Sequence, residues 1–302
     1  MKFLITGGAG FIGRHLVTRL LQDNHNVTIF DNFSSSSKND ITNLLENGVS
    51  LVTGDILDYD LLLKSMSNYD FVIHLAAQTS VSQSIADPKT TTDIIVDGTV
   101  NVLKSCVKTN VKNLIFSSSA AVYGNSPDAP ISENSQLSPV SSYGASKLVV
   151  EYNLQAFSRS FGLNCISLRL FNVYGNGQSS ETDVIRKFLK NISKDMPLEI
   201  FGDGMQTRDF VCISDVIEAF YCAIRNIEAK RGENYNIGSG KATSINELAS
   251  LLLSSKGKDL QLIHKPALEG EIKDSKADIS LAENDIGYSP QMSLSDGLAS
   301  LI

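Results

Sequence analysis

Short β-branched segments alternate with longer amphipathic segments along the first 170 residues of the chain. Six short segments have the composition of strands: Lys2–Thr6, Asn26–Phe30, Ser50–Thr53, Asp70–His74, Val111–Ser117 and Asn164–Arg169. Five longer segments have the spacing of helices: Phe11–Gln22, Asn39–Glu46, Leu57–Ser65, Thr90–Lys108 and Ser142–Ser160. Strands that alternate with helices are typical of βαβ units, so we predict a parallel sheet.

Two predicted strands are apolar at every position rather than at alternate positions. Phe71–Ile73 and Leu114–Phe116 are continuous hydrophobic runs, as expected for strands that helices cover on both faces. Right-handed crossovers then predict an α/β fold with a doubly wound parallel sheet, in which ligands bind at the carboxyl ends of the strands.

The pattern changes after about Arg169, where turn-rich segments separate shorter apolar segments. We predict two domains: the sheet domain in residues 1–170, and a smaller C-terminal α/β domain in residues 171–302 that covers the sheet. Residues 211–237 are apolar enough to return to the first domain, so the predicted boundary is discontinuous.

Composition narrows the class of protein further. The 302 residues are 42% hydrophobic and 20% charged with a net charge of -7, which excludes a disordered chain and argues against a surface for nucleic acid or anionic membranes. Apolar runs are too short to span a bilayer, and the N-terminus reaches Gly7 too early for a secretion signal, so we expect a cytoplasmic protein. Four widely spaced cysteines predict reduced core thiols and no metal site.

The turn between the first strand and the first helix carries three regularly spaced glycines. Gly7, Gly10 and Gly13 allow a tight turn, close approach of the backbone to a pyrophosphate, and close packing of helix on strand. The pyrophosphate would lie at the helix N-terminus, beside Phe11 and Ile12. A strand, this spacing and then a helix together predict a dinucleotide site.

Carboxylates follow the second and third predicted strands. Asp31 can accept both ribose hydroxyls of an adenosine and would repel a 2′-phosphate, and Asn32 begins a segment without Arg, so NAD is favoured over NADP. Asp55, followed by Ile56, can meet the adenine amino group. After the fourth strand, Leu75, Ala76 and Ala77 leave room for the cofactor, whereas His74 is interpreted as a packed, hydrogen-bonded side chain.

Tyr143 and Lys147 lie four residues apart in a predicted helix, so they share one face. A tyrosine with a pKa near 10 is a weak base, and lowering that value to about 7 would take roughly 4 kcal/mol. A lysine ammonium and a positively charged nicotinamide could supply this. The serines that end the fifth strand, Ser117 to Ser119, could donate a hydrogen bond to a substrate oxygen and share a proton with Tyr143.

Together these motifs resemble the extended short-chain dehydrogenase/reductase family, with its Rossmann-type fold, and most closely its UDP-glucose 4-epimerase type of nucleotide-sugar epimerases. The resemblance covers essentially the whole chain. It also includes Arg169–Gly175, Arg208–Val211 and Tyr235–Gly238. It implies an NAD-dependent isomerase of carbohydrate metabolism, in which residues 1–170 bind NAD and residues 171–302 bind the nucleotide sugar.

The resemblance also implies roles for individual residues. Ser119 and Tyr143 would handle the proton, and Lys147 would bind ribose and activate the tyrosine. The implied cofactor contacts are Gly7, Gly10, Phe11, Ile12, Gly13, Asp31, Asn32, Asp55, Ile56, Leu75, Ala76, Ala77, Ser117, Tyr143, Lys147 and Phe171. The implied substrate contacts are Ser119, Tyr143, Asn172, Val184, Glu199, Ile200, Phe201, Arg208, Glu271 and Ser275.

Two positions decide between reactions within the family. Related 4,6-dehydratases carry an Asp-Glu pair where this chain has Ala120 and Ala121, so elimination is disfavoured and 4-epimerisation is expected. In that reaction the C4 hydroxyl is oxidised, the keto sugar turns over, and hydride returns to the opposite face. A dehydratase, a 4-keto reductase and a non-catalytic NAD-sensing protein remain the alternatives.

Three departures from the family pattern bear on substrate and cofactor. Leu268 replaces an Arg that contacts the diphosphate in many relatives, and Ile95 replaces an Asn near the nicotinamide ribose. Ser275 stands where a Tyr narrows the sugar pocket of some epimerases, so we predict that UDP-N-acetylglucosamine is also accepted. Relatives commonly pair through the helices predicted at Thr90–Lys108 and Ser142–Ser160, which implies a homodimer.

Overall fold

Seven strands form one parallel sheet in the computed structural model, which describes residues 1–178, 183–267 and 272–301. The described residues contain thirteen strands, of which seven belong to this sheet and six form shorter pairs. In chain order the thirteen are β1 (Lys2–Thr6), β2 (Asn26–Asp31), β3 (Ser50–Thr53), β4 (Phe71–His74), β5 (Asn113–Ser119), β6 (Asn164–Leu170), β7 (Asn172–Tyr174), β8 (Leu198–Phe201), β9 (Thr207–Arg208), β10 (Phe210–Cys212), β11 (Arg231–Ile237), β12 (Thr243–Ser244) and β13 (Leu262–Lys265).

The described α-helices cover both faces of this sheet and also pack beside the shorter strand pairs. In chain order they are α1 (Phe11–Gln22), α2 (Thr42–Glu46), α3 (Tyr59–Ser65), α4 (Val81–Ala86), α5 (Pro88–Thr92), α6 (Gly98–Thr109), α7 (Ser142–Phe161), α8 (Val184–Ser193), α9 (Ile213–Arg225), α10 (Ile245–Ser255), α11 (Ser280–Ile286) and α12 (Leu294–Ala299). Shorter 3-10 turns occur at Lys38–Ile41 and Ala120–Val122, and a π-helical turn occurs at Asp93–Asp97.

The sheet order is β3-β2-β1-β4-β5-β6-β11. Strand order reverses between β1 and β4, where Ile5 pairs with Ile29 on one side and with Ile73 on the other. This reversal opens a crevice at the carboxyl ends of the strands, which is where open α/β sheets bind ligands. The predicted doubly wound, Rossmann-type sheet is confirmed.

Alternate residues of the central strands enter two separate hydrophobic cores. Ile5, Ile73 and Ile115 pack on the face that α1 and α9 cover, whereas Leu4 and Val72 pack on the face covered by α3, α6 and α7. Both faces are therefore buried, which explains the continuous apolar runs in β4 and β5.

Beyond β6, six of the described strands form three short pairs. β7 pairs with β10 and β8 with β13, both in parallel, while β9 pairs with β12 in the antiparallel direction. Buried side chains of α8 and α10 belong to the same hydrophobic cluster as those of α1 and α9. β11 lies beside β6 as the seventh strand of the large sheet, and α9 packs on α1. The division into two domains stays a prediction.

Several element boundaries differ from the predicted ones for local reasons. The helix predicted from Leu57 begins at Tyr59, because the Asp58 side chain caps it by accepting from the Leu61 N–H. The single helix predicted at Thr90–Lys108 is divided by the π-helical turn, where Gly98 packs so closely on Ile56 that an added Cβ would lie 2.5 Å from its side chain. The helix predicted at Asn39–Glu46 begins as a 3-10 turn with a Ser37–Asp40 capping box.

Within the described ranges, no helix has both the length and the apolar character needed to cross a bilayer. All four cysteines are buried.

Candidate active site

The glycine-rich turn lies where β1 and β4 diverge. Gly7 has a φ of +70°, and a Cβ on it would lie 2.6 Å from the backbone nitrogen of Ala76. A Cβ on Gly13 would lie 2.6 Å from the carbonyl oxygen of Gly7, so α1 can approach the turn this closely only with glycine there. Gly10 is the N-cap of α1, and no described side chain caps the helix. The N-terminus of α1 therefore fits a pyrophosphate.

The Asp31 carboxylate is fixed by the same turn. Its Oδ2 accepts from the Ala9 N–H at 2.9 Å, and its Oδ1 accepts from the Phe33 N–H at 2.8 Å. Burial raises the pKa of Asp31, and these two hydrogen bonds partly offset that effect. At the end of the next strand, Asp55 accepts from the Asn32 side chain at 2.9 Å. The structure thus brings three predicted adenosine contacts to one edge of the sheet.

His74 is a buried, hydrogen-bonded residue, which confirms the interpretation made from the sequence. Its Nδ1 lies 2.6 Å from the Thr6 hydroxyl, and its Nε2 lies 2.9 Å from the Thr99 hydroxyl. Because Thr99 donates to the Ile95 carbonyl, we infer that it accepts from a protonated Nε2. Burial, with a smaller effect from the charge of Lys147, lowers the pKa of His74 to about 3. The neutral ring therefore ties β1 and β4 to the first turn of α6.

Tyr143 and Ser119 face each other because α7 packs directly on the turn after β5. The Ser141 hydroxyl caps α7, and a Cβ on Gly144 would lie only 2.5 Å from the Ala121 carbonyl oxygen. The Ser119 Oγ accepts from the Ala121 N–H at 3.2 Å, which leaves its own proton for another acceptor. The Tyr143 hydroxyl is within hydrogen-bonding reach of Ser119. The predicted proton-handling pair is thus brought together.

Lys147 lies one turn further along α7, and its ammonium is almost fully buried. The Nζ donates to the Ser117 carbonyl at 2.7 Å and lies 5.7 Å from the centre of the Tyr143 ring. Burial lowers the pKa of Lys147 to about 7, although the charge of Glu151 acts in the opposite direction. The pKa of this buried lysine therefore lies well below that of an exposed lysine.

Two opposing effects within the chain act on the pKa of Tyr143. Burial raises the pKa of its phenol, and the contact with Ser119 offsets this only in part. The predicted lowering of this pKa depends on the lysine ammonium and a positively charged nicotinamide acting together, so it stays a prediction. Lowering it requires further positive charge or polar groups at the site.

A cavity of about 170 Å³ adjoins Ser119. It is formed between the end of β5, the start of β7 and the segment around Ser275. Among the residues that line it are Ser119, Ala121, Phe171, Asn172, Arg208 and Ser275. The structure therefore gathers residues that lie up to 156 positions apart in the sequence (119 to 275) around one small space.

Other predicted substrate contacts lie in β8 and α8. The side chains of Glu199 and Phe201 point away from the core to which β8 contributes Ile200, so only the backbone of Ile200 is available to a ligand. Val184 is half-buried and begins α8. Leu268 and Glu271 lie outside the described residues.

A buried ion pair behind the site was missed in the sequence. Arg169 of β6 donates to Glu151 of α7 through two nitrogens, at 3.0 Å from Nε and 2.7 Å from Nη2. Glu151 also accepts from the Ser118 hydroxyl at 2.5 Å, and Arg169 donates to the Tyr123 hydroxyl at 2.7 Å. Residue spacing gave no signal for this pair, because Glu151 lies on α7 and Arg169 lies on β6.

Comparisons with known proteins agree with this geometry. The family model described as the NAD-dependent epimerase/dehydratase family matches residues 3–238. A UDP-glucose 4-epimerase from Mycolicibacterium smegmatis is 35% identical over 100% of this chain and 97% of its own length.

Solved structures of sugar-nucleotide enzymes have the same fold. A UDP-glucose 4-epimerase from Thermotoga maritima, with UDP-glucose, matches with a TM-score of 0.93 and 33% identity over 99% of this chain and 97% of that one. A UDP-N-acetylglucosamine 4-epimerase from Methanobrevibacter ruminantium matches with a TM-score of 0.92 and 34% identity over 99% and 96%. A dTDP-glucose 4,6-dehydratase from Streptomyces venezuelae matches with a TM-score of 0.91 and 31% identity over 99% and 95%.

Proposed function

Because the chain belongs to the NAD-dependent epimerase/dehydratase family, we propose that it is a 4-epimerase that interconverts UDP-glucose and UDP-galactose. The observation that carries this proposal is that Ser119, which acts on the Tyr143 phenol, lines a cavity whose wall also contains Ala120 and Ala121. An acid for the elimination of water would have to stand at Ala120 or Ala121 in a dehydratase. Both positions are alanine, which supports epimerisation.

The cofactor site fits NAD. The glycine-rich turn and the N-terminus of α1 would hold the pyrophosphate, Asp31 would accept the adenosine ribose hydroxyls, and Lys147 would donate to the other ribose. When bound, NAD accepts hydride from C4 of the sugar and returns it to the opposite face.

The residues of the chain supply the acid–base chemistry and the binding. Tyr143 removes the proton of the C4 hydroxyl, and Ser119 donates a hydrogen bond to the same oxygen. Arg208 and Asn172 bind the diphosphate, because a guanidinium suits phosphate oxygens. Residues 199–201 of β8 contact the uracil.

Product analysis tests this proposal directly. The chain is incubated with UDP-glucose, UDP-galactose and both N-acetyl counterparts, and the products are identified by NMR. We expect the C4 epimer with no net change in NADH absorbance. A stable keto product would indicate a dehydratase. Binding of NAD without conversion of any sugar would indicate a sensing protein.

Ser275 is proposed to admit an N-acetyl group. Its side chain is buried in the cavity wall, and a tyrosine there would fill much of the 170 Å³ space. In Ser275→Tyr we expect kcat/KM for UDP-N-acetylglucosamine to fall about tenfold or more relative to UDP-glucose, because the larger sugar is excluded. Ser275→Ala is the control and should retain both activities. Unchanged N-acetyl activity in the tyrosine variant would disprove this role.

We also propose that the enzyme is a homodimer that pairs through α7 and neighbouring helices. Val149 and Tyr152 on α7 and Ile85 on the adjoining α4 are large apolar side chains exposed to solvent. Such a patch is typical of an interface. Light scattering of the purified chain should give twice the mass of 32.7 kDa.

A further inference from the structure

The Asp209 carboxylate does not line the cavity, but Asp209 directly follows Arg208, which does. It follows β9 and precedes β10, and its side chain is fully buried. Its Oδ1 accepts from the Ser239 N–H at 2.6 Å and from the Ser239 hydroxyl at 2.7 Å. Its Oδ2 accepts from the N–H groups of Gly240 and Ala277, each at 3.0 Å. One carboxylate thus joins three distant segments of the chain.

Two of these segments, those of Asp209 and Ala277, lie next to residues that line the substrate cavity. Asp209 follows Arg208 directly, and its backbone carbonyl accepts from the N–H of Asn172 at 3.0 Å. Ala277, held by Oδ2, lies two residues after Ser275. The Arg208 guanidinium in turn donates to the Ile272 carbonyl at 2.7 Å. Asp209 therefore connects both walls of the cavity, because its backbone carbonyl holds Asn172 and its carboxylate holds the segment after Ser275.

The fit around this carboxylate is tight. A Cβ on Gly238 would lie 2.7 Å from the Ala277 Cβ and 2.8 Å from Oδ2 of Asp209. Burial raises the pKa of Asp209, and the four donors act against that shift. Hydrogen bonds to an ionised acceptor are stronger than those to a neutral one, so the carboxylate is well suited to hold the backbone amides.

We propose that Asp209 is a positioning residue for the diphosphate-binding side of the site: it holds Arg208, Asn172 and the Ser275 segment in the arrangement that binds the UDP part of the substrate. This inference rests on the proposed function. Asp209 acts on the substrate only through the residues that it holds. Asp209 holds only the diphosphate-binding side of the site, because Tyr143, Ser119 and Lys147 are held by α7 and β5.

Asp209→Asn is the informative variant because an amide has only one acceptor oxygen. If that oxygen keeps the two Ser239 donors, the new NH2 group faces the N–H groups of Gly240 and Ala277 and releases the Ser275 segment. We expect the affinity for UDP, measured by calorimetry, to fall about tenfold, which is about 1.4 kcal/mol. KM for the UDP-sugar should rise similarly, while kcat at saturation and the affinity for NAD change less than about twofold.

Ser239→Ala provides a milder test. It removes one of the four donors at a half-buried position, so it should fold normally and reduce UDP affinity in the same direction by a smaller factor. The exposed Ser254→Ala, on α10, is the matched control and should bind UDP normally.

The outcomes are distinct. Unchanged UDP affinity in Asp209→Asn overturns the inference and leaves the proposed function intact. Equal losses of UDP affinity, NAD affinity and kcat also overturn the inference, because they indicate that the variant is generally destabilised. If Asp209→Asn does not fold, unchanged UDP affinity in Ser239→Ala overturns it. A native chain that binds NAD but neither binds UDP nor converts UDP-sugars overturns the proposed function and the inference with it.

Discussion

Replacing Tyr143 with phenylalanine is expected to lower kcat about a thousandfold, within the range that a general base contributes to catalysis. The substitution keeps the ring, which packs beside the apolar core under α7, and removes only the hydroxyl that faces Ser119. The thermal midpoint and the affinity for NAD should therefore stay close to those of the native chain. Steady-state kinetics with UDP-galactose gives the result.

A matched control comes from Tyr69. Its hydroxyl donates to Thr28 at 2.9 Å at the amino end of the sheet, away from the carboxyl ends where the site lies. Tyr69→Phe should leave kcat unchanged. If Tyr143→Phe also turns over at the native rate, Tyr143 is not the base and the proposed chemistry is wrong.

Breaking the buried ion pair should have the largest effect on stability. In Arg169→Met the Glu151 carboxylate remains in the interior without its guanidinium contacts, and among the described residues only the Ser118 hydroxyl still donates a hydrogen bond to it. Removing one member of such a pair costs about 3–5 kcal/mol. We expect the free energy of unfolding, measured by urea denaturation, to fall by that amount.

The surface pair of Glu218 and Arg225 is the comparison. Its N–O distance is 2.7 Å, the same as in the buried pair. The side chains of Glu218 and Arg225 are 38% and 54% exposed, whereas those of Glu151 and Arg169 are 1% and 3% exposed. Exposed pairs contribute about 0–1 kcal/mol, so Arg225→Met should change stability little. Equal losses in the two variants would contradict the argument from burial. Replacing both Glu151 and Arg169 with apolar residues should recover part of the loss.

The sequence predicted the parts of the molecule that depend on local spacing. Phe11–Gln22 is helical and Lys2–Thr6 is a strand at the predicted residues, because the apolar period and the glycine turn between them are both local signals. The Tyr143 and Lys147 side chains share one face of α7 for the same reason.

The sequence did not predict features that depend on contacts between distant segments. The role of Asp209 depends on the amides of Gly240 and Ala277, and Glu151 meets an arginine from a different strand. Neither contact follows from residue spacing, since each depends on how strands and loops pack in three dimensions. The burial of the Tyr143 phenol, which raises its pKa, was likewise not predicted, because it depends on how α7 packs on the turn after β5.

The seventh strand limits how this chain can be shortened. β11 pairs along β6 from Cys165 to Leu170, although it comes more than 60 residues later in the chain. A fragment that stops at residue 170, chosen to obtain a minimal dinucleotide-binding module, would leave the backbone groups along one side of β6 unpaired. An exposed edge of this kind invites pairing with other molecules and aggregation. A usable module therefore has to retain residues 231–237, for example through a circularly permuted or linker-fused design.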